Sequence, residues 1–313
     1  MKRLLCLFLL IAPPLQAEVP KVAVDIVPVH SIVASVMQGM GEPALIIPPT
    51  ASPHSYAMRP SEARALSGAD LVVWVGPALT PWLQEPLDTL AGSGARLALL
   101  EAEGVPLLEL REDVAFDADA HDHDHGHDHD HGHADGHAED EHKPDPHAWL
   151  DPAVGAIWAS AIAEQLSAMD PENAAGYRAN AAALAAEAAA FQTEWQARLD
   201  PVHDVQFIVF HDAFQYFERR FDLHATAAIQ TGEAAAPGAS RIQALKETLS
   251  QSNLRCAFAE PQFNPKLITT VTEGLNVEAA ILDPLGSDVP MGPGHYLATL
   301  DALARAMADC LGR

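Results

Sequence analysis

Histidine carries most of the chemistry this sequence could do. Nine of its 16 histidines fall between positions 121 and 142: His121, His123, His125, His127, His129, His131, His133, His137 and His142. They alternate with Asp, with Gly at intervals and no large apolar residue among them. Such a run cannot offset its ordering entropy by burial, so residues 117–145 read as a mobile loop. Imidazoles are mostly unprotonated at neutral pH and free to ligate, and imidazole mixed with carboxylate suits zinc, copper or nickel. A loop of this kind offers several weak, exchanging sites. The competing reading is a merely solvated acidic segment, since residues 117–145 hold 11 acids against one Lys and supply 10 of the 25 net negative charges. The density of imidazole favours metal.

A tight site needs ligands that the fold holds still, and four positions offer them. His54 lies in PTASPHSYAMRPSEA, a Pro/Ser-rich loop between a strand and a helix, and His147 lies in KPDPHAWLDP, bracketed by prolines just after the His/Asp run. His211 follows the strand FIVF and opens the helix DAFQYFERRF; Asp283 ends the strand EAAIL and precedes PLGSD. Singly, each reads as a capping or surface residue. Together, two from each half of the chain, they read as ligands of one ion bridging the halves. Three neutral imidazoles with a water or one carboxylate make a four-coordinate, nitrogen-rich shell that zinc accepts at about 2.0–2.1 Å. Manganese prefers a harder, oxygen-rich shell and sits low in the Irving–Williams order. Copper and nickel bind imidazole at least as tightly as zinc, so their exclusion rests on geometry and availability. Asp145, Asp151, Asp212 and Glu260 are candidates to orient the imidazoles.

The elements that must position these groups are legible in the apolar pattern. Short runs recur at VAVDIV, ALIIP, LVVWVG and RLALL, then at FIVF, ATAAI, RCAFAE and EAAILDP, with helix-like stretches between them. This alternation predicts an α/β fold with two parallel sheets, each covered on both faces. Between the two sets, residues 152–199 are Ala-rich, and the stretch from Asp170-Pro171-Glu172 to Leu199 predicts one helix of about 28 residues with a Pro at its first position. The chain then divides into a lobe over 18–169, a stiff connecting helix over 170–199 and a second lobe over 200–313. VPVHSIVASV and IVFHDAFQYF, and RPSEARALSGADLVVWVG and ASRIQALKETLSQSNLRCAFAE, suggest that the lobes repeat one plan. Ligands of such folds sit at the carboxyl ends of the strands, here in a cleft between lobes.

Composition narrows the setting. With 18 Lys+Arg against 43 Asp+Glu, the surface repels phosphate backbones, which excludes a nucleic-acid partner. Residues 1–17 run from Lys2 and Arg3 through an apolar stretch to a small residue, the layout of a secretory signal cleaved near Ala17. No later segment approaches the roughly 18 apolar residues of a spanning helix. Cys6 falls inside the signal, which argues for a soluble periplasmic protein of a two-membrane bacterium over a lipid-anchored one. Cys256 and Cys310 remain, and in an oxidising compartment a lone pair is most simply a disulfide.

Several of these segments together resemble the zinc-specific periplasmic solute-binding proteins of bacterial ABC importers, a family that also has manganese-binding members. The similar stretches are PHSYAMRPSEARALSGADLVVWVGP, DPHAWLDP, FHDAFQYFERRF, CAFAEPQF, LDPLGSD and ADCLG, in order over essentially the whole mature length. The resemblance implies two small α/β lobes joined by a long backbone helix, with Zn2+ between them. It places zinc ligands at His54, His147 and His211, and puts Asp283 where manganese members supply an aspartate. In those members the third ligand is a carboxylate, where this chain has His211. The family's disulfide falls on Cys256 and Cys310, and its His-rich loop on 117–145. The partner implied is an ABC-type zinc permease in the inner membrane, with periplasmic zinc chaperones as a further possibility, and the chain is expected to act as a monomer.

The remaining features read as structural. His30 is expected at a helix start or cleft wall, and His203, His224 and His295 in turns at the surface. Trp74, Trp82 and Tyr56 read as core or rim. A secreted zinc hydrolase is the alternative from another class, but the sequence contains no HExxH or HxHxDH motif to set a general base beside a metal-bound water. A periplasmic zinc store or chaperone, in which the His/Asp run is the main function, is the third reading.

Overall fold

A computed structural model describes residues 18–92, 94–111, 116, 143–230, 238–264 and 266–313. The signal over 1–17 and the nine histidines between 121 and 142 lie outside the described residues.

All eight apolar runs form strands. In the first half β1 (Val22–Val24), β2 (Ala44–Leu45), β3 (Leu71–Trp74) and β4 (Ala95–Ala98) make a parallel sheet in the order β2-β1-β3-β4. In the second, β5 (Phe207–His211), β6 (Ala225–Gln230), β7 (Cys256–Ala259) and β8 (Glu278–Ile281) repeat it as β6-β5-β7-β8, again parallel. The shared order gives the weak internal similarity a structural counterpart. The inner strands β1, β3 and β5 are buried at every residue, as continuous apolar runs covered on both faces should be. Edge strands β4 and β8 are only partly covered, and they carry Arg96 and Glu278.

Nine helices are described: α1 (Val27–Val36), α2 (Pro60–Ser67), α3 (Gln84–Leu90), α4 (Pro152–Met169), α5 (Ala174–Leu199), α6 (Gln215–Phe221), α7 (Ala239–Ser250), α8 (Lys266–Thr272) and α9 (His295–Leu311). The long helix expected from Asp170 is α5, 26 residues and about 39 Å long, and it begins at Ala174. The Asp170-Pro171 start fails because Asp170 ends α4 instead: its carboxylate accepts from Tyr177 Oη at 2.8 Å and Asn173 Nδ2 at 2.7 Å, closing a turn between α4 and α5. The connector is therefore one arm of a helical hairpin, and it also lies against α1 and α9.

The lobes share more than this connector. One core cluster runs from the first sheet through Trp158, Tyr177 and Trp195 to Phe207 and Phe258 of the second, while a smaller cluster around Phe210 and Leu245 covers that sheet's other face. Ser31 on α1 donates to the carbonyls of Gly292 and Pro293 and accepts from the Tyr296 backbone N–H at 2.9 Å. Gly155 gives α9 room to approach α4, since a Cβ there would lie 2.1 Å from Tyr296 Oη. Cys256 and Cys310 form the disulfide, joining the first residue of β7 to the last turn of α9. Among the described residues, no helix is long and apolar enough to cross a membrane.

Candidate metal centre

The order of the second sheet reverses between the paired strands β5 and β7, so the connections leaving their carboxyl ends run in opposite directions and leave a crevice there. His211 is the last residue of β5 and Glu260 follows β7, which puts both in that crevice. The helix after His211 starts only at Gln215, three residues later than the expected start at Asp212, and this frees the imidazole from a helical turn. His54 comes from a short 3-10 turn, Pro53–Ser55, between β2 and α2. His147 precedes a second 3-10 turn, Ala148–Leu150, that leads into α4.

These three histidines converge. His147 Nε2 lies 3.3 Å from His54 Nε2 and 3.1 Å from His211 Nε2. A tetrahedral zinc about 2.0–2.1 Å from each nitrogen would separate its ligands by about 3.3–3.4 Å, close to these two spacings. Two of the outer nitrogens are committed: His147 Nδ1 faces Asp145 Oδ1 at 2.7 Å, and His211 Nδ1 faces Glu260 Oε2 at 3.0 Å. Carboxylates require those Nδ1 atoms to carry the protons, which turns the Nε2 lone pairs toward one another. A proton can bridge one such pair; three convergent imidazoles call for a cation.

The surroundings reinforce this. His147 and His211 are 2% and 4% exposed, and the recess they line is walled by Pro53, Trp149, Gln262, Phe263, Pro284 and Leu285. Burial pulls the His211 imidazole toward the neutral form, but the Glu260 charge and hydrogen bond, with the charges of Asp212 and Asp145, together raise its pKa above the ordinary value. Asp145 is pushed up to about 7 by burial, against the pull of the His147 backbone N–H and the Arg111 charge. A bound dication would favour both carboxylates in their charged forms.

Other expected residues are placed differently. Asp151 and Asp212 do not orient the imidazoles: Asp151 caps α4 at the Ala153 N–H and pairs with Arg220 at 2.6 Å, and Asp212 pairs with Arg111. Asp283 lies outside the three-histidine group, and its carboxylate is held by Gln262, Leu285 and Ser287. His295 is not at the surface but 1% exposed at the start of α9, with Nε2 donating to the Gly286 carbonyl at 3.0 Å. His30 is a half-buried residue within α1, bonded to the Pro43 carbonyl; His203 and His224 are partly exposed, the first in a turn and the second in the loop just before β6. Residues 143–145, assigned to the mobile loop, are ordered: Leu110 N–H donates to the Lys143 carbonyl and Asp145 N–H to that of Leu108.

Sequence reasoning missed the indole supports. Trp82 Nε1 donates to the Pro53 carbonyl at 2.7 Å and so holds the turn that carries His54. Trp149 Nε1 donates to the Pro284 carbonyl at 2.8 Å, and its ring lies 5.2 Å from that of His147. The only sequence signal for Trp149 is its place two residues after His147. Nothing local links Trp82 to a turn 29 residues earlier.

Residues 22–310 match the family described as zinc-uptake complex component A, periplasmic. The chain belongs to the ZnuA family. It is 43% identical over 314 residues to the high-affinity zinc uptake system protein ZnuA of Brucella suis, covering 96% of this chain and 94% of the relative. The ZnuA of Paracoccus denitrificans is 42% identical over 311 residues, with the same coverage of each. Among solved structures, a crystal structure of ZnuA is similar with a TM-score of 0.75 and 26% identity, covering 94% of this chain and all of the other. A ZnuA deletion mutant with zinc bound gives 0.73 and 25%, covering 93% and 98%. The ZnuA fold is thus the two-lobe α/β architecture seen here, and the family is one of solute-binding transport components, not an enzyme class.

Proposed function

We propose that this protein captures zinc in the periplasm through His54, His147 and His211 and delivers it to an ABC permease in the inner membrane. The carrying observation is that His147 Nε2 lies 3.1–3.3 Å from the Nε2 atoms of both His211 and His54, with two of the three rings oriented by buried carboxylates. The ZnuA relatives are described as high-affinity zinc uptake proteins, which supports the same cargo. On this reading residues 18–169 and 200–313 are the lobes that enclose the ion, 170–199 links them, the signal is removed near Ala17, and the chain works as a monomer.

The His/Asp run serves as an auxiliary, low-affinity zinc collector or sensor. A store or chaperone is the reading that this run favours, with a periplasmic zinc chaperone as a further partner. Chelator-competition titration with zinc separates the two, using the full chain, a variant lacking 117–142, and that variant with His211→Ala. Asp145 must stay in the shortened chain because it holds His147. One tight ion per chain that survives the deletion and is lost with His211→Ala supports capture in the cleft. Loss of the tight ion on deletion alone would transfer the function to the run.

A further inference from the structure

Asp283 sits beside the cleft yet is saturated by other partners. Its Oδ1 accepts from Gln262 Nε2 at 2.8 Å and from the Leu285 N–H at 3.0 Å; its Oδ2 accepts from the Ser287 N–H at 2.6 Å and from Ser287 Oγ. Four donors fill the lone-pair sites of a carboxylate. The turn they close is tight: Gly286 adopts φ +65, and a Cβ there would lie 2.0 Å from Thr299 Oγ1. Pro284 and Leu285, within that turn, and Gln262, which restrains it, all line the recess of the three histidines.

Gln262 is the element with a foot in both places. It follows Glu260, the partner of His211, by two residues, so one short segment orients an imidazole and restrains the carboxylate. Its Nε2 is committed to Asp283, which fixes the direction of its amide oxygen. That Oε1 is buried with no hydrogen-bond partner among the described residues. An unpartnered buried acceptor in the wall of a metal recess suits a metal-bound water, which carries protons to donate.

We propose that Gln262 and Ser287 form a latch that withholds the Asp283 carboxylate from the metal, leaving three imidazoles and one open position for a water that Gln262 Oε1 receives. The latch is a specificity device: adding a carboxylate would harden the shell and bring it closer to what manganese accepts, whereas three nitrogens and a water favour zinc. Gln262 and Ser287 are here positioning residues, and the inference rests on the three-histidine reading above.

The test uses the full chain and titrates Zn2+ and Mn2+ separately against chelators, with Co2+ absorption as a spectroscopic reading of the ligand set. In the Gln262→Ala/Ser287→Ala variant, the preference for zinc over manganese should fall by about tenfold or more, and the Co2+ bands should shift as a carboxylate replaces water in the fourth position. Adding Asp283→Asn to that variant should restore both. Gln262→Ala alone should move the same ratio in the same direction, which keeps the test open if the double variant folds poorly. Asp283→Asn in the otherwise natural chain should cost less zinc affinity than His211→Ala. An unchanged metal ratio and Co2+ spectrum in the latch variants, or an equal loss in Asp283→Asn and His211→Ala, would overturn the latch. The cleft reading itself fails if His211→Ala leaves tight zinc binding intact or if deleting 117–142 abolishes it, so its failure is distinct from that of the latch.

Discussion

His211 is gripped twice by Glu260: one carboxylate oxygen accepts its backbone N–H at 3.1 Å, and the other faces its ring Nδ1 at 3.0 Å. The glutamate thereby sets the end of β5 and the tautomer of the imidazole together. Replacing it with Gln keeps the shape but removes the charge. Zinc affinity in Glu260→Gln should fall about 10–100-fold with the stoichiometry of the cleft site unchanged, measured by chelator competition. An affinity equal to that of the parent would mean that Glu260 has only a packing role.

Trp82 acts on the metal site through one hydrogen bond. Its indole N–H to the Pro53 carbonyl is a direct link between the 3-10 turn at Pro81–Leu83 and the turn bearing His54. Trp82→Phe retains a ring at the position and deletes the donor, at a cost of about 1 kcal/mol, or roughly fivefold in zinc affinity if the lost order falls on His54. Stopped-flow release of zinc should speed up accordingly; a variant that loses stability but not affinity would separate the bond from the site.

Asp25 gives a pH signature away from the histidine group. It is fully buried at the end of β1, where it accepts the N–H groups of Ile26 and Val75, each at 2.8 Å. Burial pushes its pKa up to about 7 from 3.8, against those two bonds. Between these values the folded protein holds a proton that the unfolded chain has lost. The contribution is therefore fully present below about pH 4 and is lost as pH rises through about 7, by a few kcal/mol at most. Asp145 and Asp212 are also raised by burial and slope the same way. Thermal unfolding of the metal-free protein from about pH 4 to about pH 8 should show a shallower decline in Asp25→Asn than in the parent. Parallel curves would contradict this assignment.

The disulfide closes a loop with a sequence separation of 54 between β7 and α9. In the chain-entropy account a loop of that size contributes about 4 kcal/mol, and native domains typically lose about 2–5 kcal/mol without such a bond. Replacing both cysteines with Ser should lower the denaturation midpoint by a corresponding amount and leave the tight zinc stoichiometry intact at room temperature. A variant that folds normally but cannot hold zinc would tie the bond to the cleft instead.

The eight strands and the candidate ligands His54, His147 and His211 were legible because their signals are local. A strand buried on both faces must be a continuous apolar run, and a histidine between prolines or just past such a run is at a strand end or in a loop. The repeat of sheet order was faintly visible for the same reason. Partner choice was not. Asp145, Asp151, Asp212 and Glu260 looked equivalent as carboxylates near the cleft, yet two reach imidazoles and two are taken by Arg220 and Arg111, which lie 69 and 101 residues away in sequence. Asp283 reads from the sequence either as a ligand or as a residue standing off while a water ligates, and the donors that hold it, from Gln262, Leu285 and Ser287, are supplied by the fold; His295 reads as a surface residue, and the packing of α9 buries it. A side chain's type fixes what it can bind; which donor reaches it first depends on distances set by the packing of elements remote in the chain, and these exist only once the lobes have folded together.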